Sequence, residues 1–203
     1  MEEFPVIKAT KQSLAQRKCV FGVGINDAAY LTQVRTDGRL VACPFYQTWL
    51  NMLRRCYSPV SHKLHPTYKG CSVCTDWLRF SVFRTWMMKQ PWAGNHLDKD
   101  LIRPGNRVYC PAMCAFVSRQ LNMLLTDHRA AKGRWPAGVC YHKKVGRFQA
   151  QCNYNGNHTH IGYFNTPEDA STAYQKRKKE IIREAAMQQD DPRVREGLLL
   201  RCI

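Results

Sequence analysis

The chain is short of acid. Its 203 residues carry 15 Asp and Glu against 31 Lys and Arg, a formal charge of +16 with a pI near 9.6. Such a surface attracts polyanions, because each phosphate it neutralises releases condensed counterions, so nucleic acid is the expected partner. An anionic membrane surface is the competing reading, and it would need a basic amphipathic helix with a large apolar face. Long apolar runs are also lacking: no stretch approaches the roughly 20 residues that span a bilayer, and no membrane partner is expected. Met1-Glu2-Glu3-Phe4-Pro5 holds neither a basic leader nor an apolar run, so export is not expected. In a cytoplasmic protein the ten cysteines are expected to be reduced, buried or metal-bound rather than paired. There is no internal repeat. A hydrophobic content of 44% suits two small domains, each poor enough in core to benefit from a structural metal or a bound partner.

What is present can be read as a succession of elements. The Gly22-Val23-Gly24 run lacks the third glycine of a nucleotide loop and reads as a turn. Asp37-Gly38, between Tyr30–Thr36 and Arg39–Cys43, supplies the positive φ values of a tight hairpin. After Pro44, Tyr46, Trp49, Leu50, Leu53 and Cys56 recur at helical spacing, with Arg54 and Arg55 beside that face, solvated or touching phosphate. Residues 58–70 read as an irregular loop. Trp77, Phe80, Phe83 and Trp86 form a helical stripe best assigned to core packing. Phe116 to Leu125 reads as a helix, residues 127–136 as a linker, and residues 188–203 as a frayed tail.

The last third is the clearest. From Arg147 to Asn153, Phe148, Ala150 and Cys152 alternate with Arg147, Gln149, Gln151 and Asn153, the pattern of a half-buried strand. Asn155-Gly156 marks a hairpin turn before His158–Phe164, and Thr166-Pro167-Glu168-Asp169 is a helix start. Ala170, Ala173, Tyr174, Ile181 and Ala185 form its buried stripe. Three strands on one helix leave a free sheet face with Lys143, Lys144, Arg147, Gln149, Gln151, Asn153, His158 and His160. Amides can read adenine and guanidiniums guanine, whereas phosphates need only positive charge, so this mixture points to a β-ribbon in a major groove.

Gly138-Val139, Phe148-Gln149-Ala150, Ile161-Gly162-Tyr163-Phe164 and Glu168-Asp169-Ala170 with Ala173-Tyr174 together resemble the Apetala/ethylene-response-factor DNA-binding domain. The resemblance implies binding of double-stranded DNA through the sheet. Cys140 stands where the plant domains usually have a basic residue, so their base-reading code does not transfer.

Upstream, Cys71-x-x-Cys74 is half of a zinc site, and spacing alone nominates Cys110 and Cys114 as the other half, with Cys56 ending the preceding helix. In His96-Leu97-Asp98-Lys99-Asp100 an extended backbone would put His96, Asp98 and Asp100 on one face as a cation-binding strip, with Lys99 pointing away. Cys-x-x-Cys, an acidic doublet and the downstream Asn122 resemble the HNH, or ββα-metal, nucleases. Trp49…Arg55-Cys56-Tyr57, Val73-Cys74-Thr75-Asp76-Trp77, Leu97-Asp98-Lys99-Asp100 and Tyr109…Cys114 extend the likeness to phage homing proteins that join such a module to an Apetala-type domain.

That likeness implies structural zinc at Cys56, Cys71, Cys74 and Cys114, and Mg²⁺ at Asp98 and Asn122. Lys99 stands at the position of the usual general-base histidine; His96, on the same expected face as Asp98, is the candidate substitute, the alternative being a solvent-exposed turn residue. A lysine at its ordinary pKa of about 10.4 is protonated at neutral pH and cannot take a proton from water efficiently.

The expected fold is therefore α+β. An N-terminal extension with a hairpin (1–44) precedes an HNH-like ββα-metal module (45–126), and a three-stranded antiparallel sheet packed on one helix follows (137–187). The expected function is Mg²⁺-dependent nicking or cleavage of duplex DNA in an infected host's cytoplasm. The alternative is a degenerate frame that binds DNA or a host protein without cutting.

Overall fold

The computed structural model describes residues 4–125 and 134–202, and much of the linker expected at 127–136 lies outside them. The chain divides into two compact units, Met1–Ala93 with Leu97–Phe116, and Gly94–His96 with Val117–Ile203.

In the first unit a short helix, α1 (Lys11–Ala15), is capped by the Thr10 hydroxyl. Strands β1 (Gln33–Thr36) and β2 (Arg39–Ala42) pair antiparallel around Asp37-Gly38, where φ is +48° and +75°. Helix α2 (Pro44–Tyr57) has proline in its first turn and buries Tyr46, Trp49, Met52, Leu53 and Cys56, the expected stripe. Residues 58–70 are more regular than their composition suggests. The Ser58 side chain caps a helix, α3 (Pro59–Leu64), and a single 3-10 turn (Pro66–Tyr68) follows.

Strands β3 (Ser72–Val73) and β5 (Val108–Tyr109) pair parallel, while β4 (His96–Asp98) pairs with β6 (Ala115–Val117). The aromatic stripe is split: Trp77 lies in a 3-10 turn (Thr75–Leu78), and Phe80, Phe83 and Trp86 lie in α4 (Phe80–Met87). Trp77 and Phe83 meet edge-on at 5.1 Å, and the Trp49 indole N–H donates to the Trp77 carbonyl at 2.7 Å. The stripe is core.

The N-terminal segment belongs to this core rather than extending from it. Ala28 and Cys43 are buried within it. The Asp27 carboxylate accepts from the Ser81 backbone N–H and hydroxyl at 2.8 and 2.7 Å, and Ile25 bridges to Arg79. At Gly24 a side chain would collide with Leu53 and Trp49.

The segment expected to be one helix from Phe116 begins as strand β6 and becomes helical only at α5 (Arg119–Leu125), in the second unit. Strands β7 (Val139–His142), β8 (Arg147–Tyr154) and β9 (Asn157–Phe164) form one antiparallel sheet in that order. It packs on α6 (Pro167–Met187), whose N-cap Thr166 accepts from the Asp169 N–H. Gly138 has φ +76°, and a Cβ there would overlap the Tyr174 ring, so only glycine admits this helix–sheet contact. The C-terminal residues are not a frayed tail: α7 (Pro192–Leu200), capped by Asp191, buries Val194 and Leu198. Its periodicity was hidden by its shortness. No helix among the described residues is long and apolar enough to cross a membrane.

Candidate nucleic-acid interface and cysteine cluster

Strand register defines the outer sheet face. Across β8, Arg147 lies opposite His142, Gln149 opposite Cys140 and Tyr163, Gln151 opposite His160, and Asn153 opposite His158. Directly opposed residues share a face. Ala150 and Cys152, buried, lie on the other face, so the predicted residues Arg147, Gln149, Gln151, Asn153, His158 and His160 are brought together. Lys143 and Lys144 are exposed in the β7–β8 turn beside them.

The amides on this face are held in place. Gln149 Nε2 lies 3.1 Å from His160 Nδ1 and 3.5 Å from Gln151 Oε1, and the Cys140 thiol points at Gln149 Oε1 at 4.0 Å. The Tyr163 ring sits between His160 (4.8 Å) and His142 (5.4 Å). The sequence contains no Asp or Glu between Asp127 and Glu168, so no carboxylate of the sheet opposes its cations.

Two contributors, His142 and Tyr163, were missed from the sequence. Alternation from His158 and His160 would put Gly162 outward, but the register shifts between Ala150 and Gln151 and turns Tyr163 outward instead. Only the pairing of β8 with β9 carries that signal.

In the first unit, β4 ends at Asp98. Asp98 Oδ1 accepts from the backbone N–H groups of Asp100 (2.9 Å) and Leu101 (2.7 Å), closing a turn over the buried Leu101. Asp100 lies beyond the strand, so His96, Asp98 and Asp100 do not form one strip. Burial, reinforced by the Asp100 charge, raises the Asp98 carboxyl above its ordinary value against the pull of the two N–H groups. Lys99 is only 9% exposed. Its ammonium donates to Asp100 Oδ2 at 3.2 Å and to the Asn106 carbonyl at 2.9 Å. Asn106 Nδ2 in return donates to the carbonyls of Lys99 (2.6 Å) and Val108 (2.8 Å). This polar clasp shuts the loop between β4 and β5. His96 is exposed. Asn122, on α5, belongs to the second unit and Asp98 to the first.

The thiols fall into two groups. Register carries Cys74 next to Cys110, just beyond the paired ends of β3 and β5, and Cys114 has Cys110 and Cys74 as thiol neighbours. Cys56 instead has Cys71 as its thiol neighbour. Burial pushes the Cys56 thiol up to about 12, with Lys99 and Arg55 pulling the other way, and also raises Cys74 and Cys114. Thiolate chemistry suits zinc, and the expected set of Cys56, Cys71, Cys74 and Cys114 draws on both neighbourhoods. Among the described residues no group of three or more His, Cys, Asp or Glu side chains is placed to hold a metal ion.

Comparison with protein-family models, curated proteins and solved structures finds no match to this chain.

Proposed function

We propose that the protein binds duplex DNA through the outer face of β7–β8–β9, and that its HNH-like first unit serves as a scaffold rather than a hydrolase. The observation that carries this reading is the oriented Gln149 amide, braced by His160 and Gln151 beside Arg147 in a sheet whose strands contain no carboxylate. A β-ribbon fits a major groove about 12 Å wide, where Gln can pair with adenine and Arg with guanine. Lys143 and Lys144 at the turn suit phosphate contacts, which fix register without reading sequence.

A binder of a host protein is the weaker reading, since interface cores favour aromatic anchors over ranks of amides and cations. The hydrolytic reading requires Mg²⁺ at Asp98 and Asn122 and a base at His96 or Lys99. Against it, Asp98 Oδ1 is engaged by two backbone donors and the Lys99 ammonium by two acceptors.

The test is DNA binding by gel shift or fluorescence anisotropy, on a site selected from random duplexes. Arg147→Ala and Gln149→Ala should each cost roughly 1–3 kcal/mol on that site and far less on unrelated duplex. Unchanged affinity and preference in both variants would refute the sheet-face reading. Plasmid incubated with Mg²⁺ should stay intact; nicking by the wild type that Asp98→Ala abolishes would overturn the scaffold assignment.

A further inference from the structure

The C-terminal end of α2 opens into a cavity of about 380 Å³ lined by Arg54, Arg55, Ser58, Ser61, His65 and Tyr68. We propose that this cleft is a phosphate subsite for a nucleic-acid backbone, a DNA contact on the first unit separate from the sheet. The proposal rests on the DNA-binding reading above and deepens it.

The two arginines have different roles. Arg55 is half-buried and fixed: its guanidinium stacks 5.5 Å from the Tyr68 ring centre and is near enough to Tyr109 and Asp98 for both to bear on its ionisation. Arg54 is exposed, and among the described residues its guanidinium has no hydrogen-bonding or carboxylate partner. Two adjacent guanidiniums with one acid behind them leave the cleft positive.

The sequence sharpens the point, because no Asp or Glu occurs between Asp37 and Asp76, a stretch that supplies every lining residue. Hydroxyl donors are at hand as well. Ser58 Oγ accepts from the Ser61 N–H at 3.3 Å, which leaves its own proton to be donated into the cleft. Guanidinium and hydroxyl donors on one concave wall match the several acceptor oxygens of a phosphate. The lip adds a second chemistry: Val60 and Leu64 are 67% and 72% exposed, apolar surface against which a sugar or base can rest. An inorganic anion would leave that lip idle, whereas a nucleotide unit uses both.

The experiment uses the full chain. Affinity for a short duplex is measured across a salt series for wild type, Arg54→Ala, Arg54→Lys and Gln149→Ala. Losing one phosphate contact should lower the slope of log K against log salt by about 0.9 and weaken binding roughly threefold to tenfold, with site preference unchanged. Arg54→Lys should restore the slope. In parallel, backbone NMR signals of residues 54–68 should shift on titration with a 5′-phosphorylated dinucleotide and far less with a glutamate-rich peptide.

If Arg54→Ala keeps the wild-type slope while Gln149→Ala still loses affinity, the cleft proposal falls and the sheet reading stands. If the wild type binds no duplex, the sheet reading falls and the dinucleotide titration alone decides the cleft: shifts at residues 54–68 support a phosphate site, and their absence overturns it. An equal response to the acidic peptide overturns it too.

Discussion

Replacing Lys99 separates a structural ammonium from a misplaced catalytic base. The side chain is almost wholly covered, and its donors go to the Asn106 carbonyl and Asp100. Lys99→Met keeps most of the aliphatic stem, so the loss is polar. A charged donor to a carbonyl is worth about 1.5–3 kcal/mol. The Asp100 side chain is 43% exposed and can rehydrate, so the ion pair adds only about 0–1 kcal/mol. Relief of the lysine's own desolvation offsets part of this sum, and about 2 kcal/mol is the expected cost. With a urea m-value of about 1–3 kcal/mol/M, that is a midpoint shift on the order of 1 M.

Tryptophan fluorescence reports on the right unit, because Trp49, Trp77, Trp86 and Trp92 lie in the first and only Trp135 in the second. Asn106→Ala should be non-additive with Lys99→Met, since both open the same clasp. Lys99→His supplies the histidine that the HNH likeness would place there as a base, but the shorter imidazole cannot span the same two acceptors, so it should lose stability and gain no Mg²⁺-dependent nicking. A Lys99→Met loss below about 0.5 kcal/mol, within the range of ordinary surface substitutions, would refute the clasp. Cleavage acquired by Lys99→His would refute the scaffold reading with it.

At the C-terminus, Asp191 caps α7 through the Arg193 N–H (2.9 Å) and pairs with the Arg193 guanidinium (2.7 Å). The hydrogen bond from Arg193 is the main cause holding its carboxyl below the usual 3.8. The cap's contribution is therefore fully present above that value and is lost as pH falls through the depressed one. Asp191→Ala should cost about 1 kcal/mol at neutral pH, and the gap should close in strong acid; thermal unfolding at both pH values tests this, and a constant gap would contradict it. For the cysteines, a zinc site at Cys56, Cys71, Cys74 and Cys114 predicts about one equivalent of zinc in purified protein, released by thiol reagents; less than about half an equivalent would count against it.

Local signals survived into the fold where they were strong and self-contained. Asp37-Gly38 and Asn155-Gly156 made their hairpins because each puts two residues at positive φ, and Thr166-Pro167 began its helix through a side-chain cap. The stripe on α2 was legible because fourteen residues give its period room to repeat. Short elements were not: α3 and α7 span six and nine residues, and Pro, Ser and His in the first and the loss of a clear period in the second hid them. β6 was mistaken for helix because Ala115–Val117 is apolar at every position, a pattern that fits either state. Long-range geometry was the least legible. Neither the register shift that exposes Tyr163 nor the return bond from Asn106 to Lys99 leaves a mark in spacing.

The distribution of acid ties these readings together. Asp98 closes its turn and Asp100 pairs with Lys99 in the clasp, while the two long acid-free stretches, one after Asp37 and one after Asp127, contain the α2 cleft and the sheet. Positive charge alone would bind any duplex and would weaken steeply with salt. On the proposed DNA-binding reading, the amides of Gln149 and Gln151 would add what charge cannot, a dependence on base identity that persists at higher salt. The two surfaces should therefore come apart in measurement. Arg54 variants should change the salt slope and leave preference alone, whereas Gln149 variants should change preference and leave the slope alone.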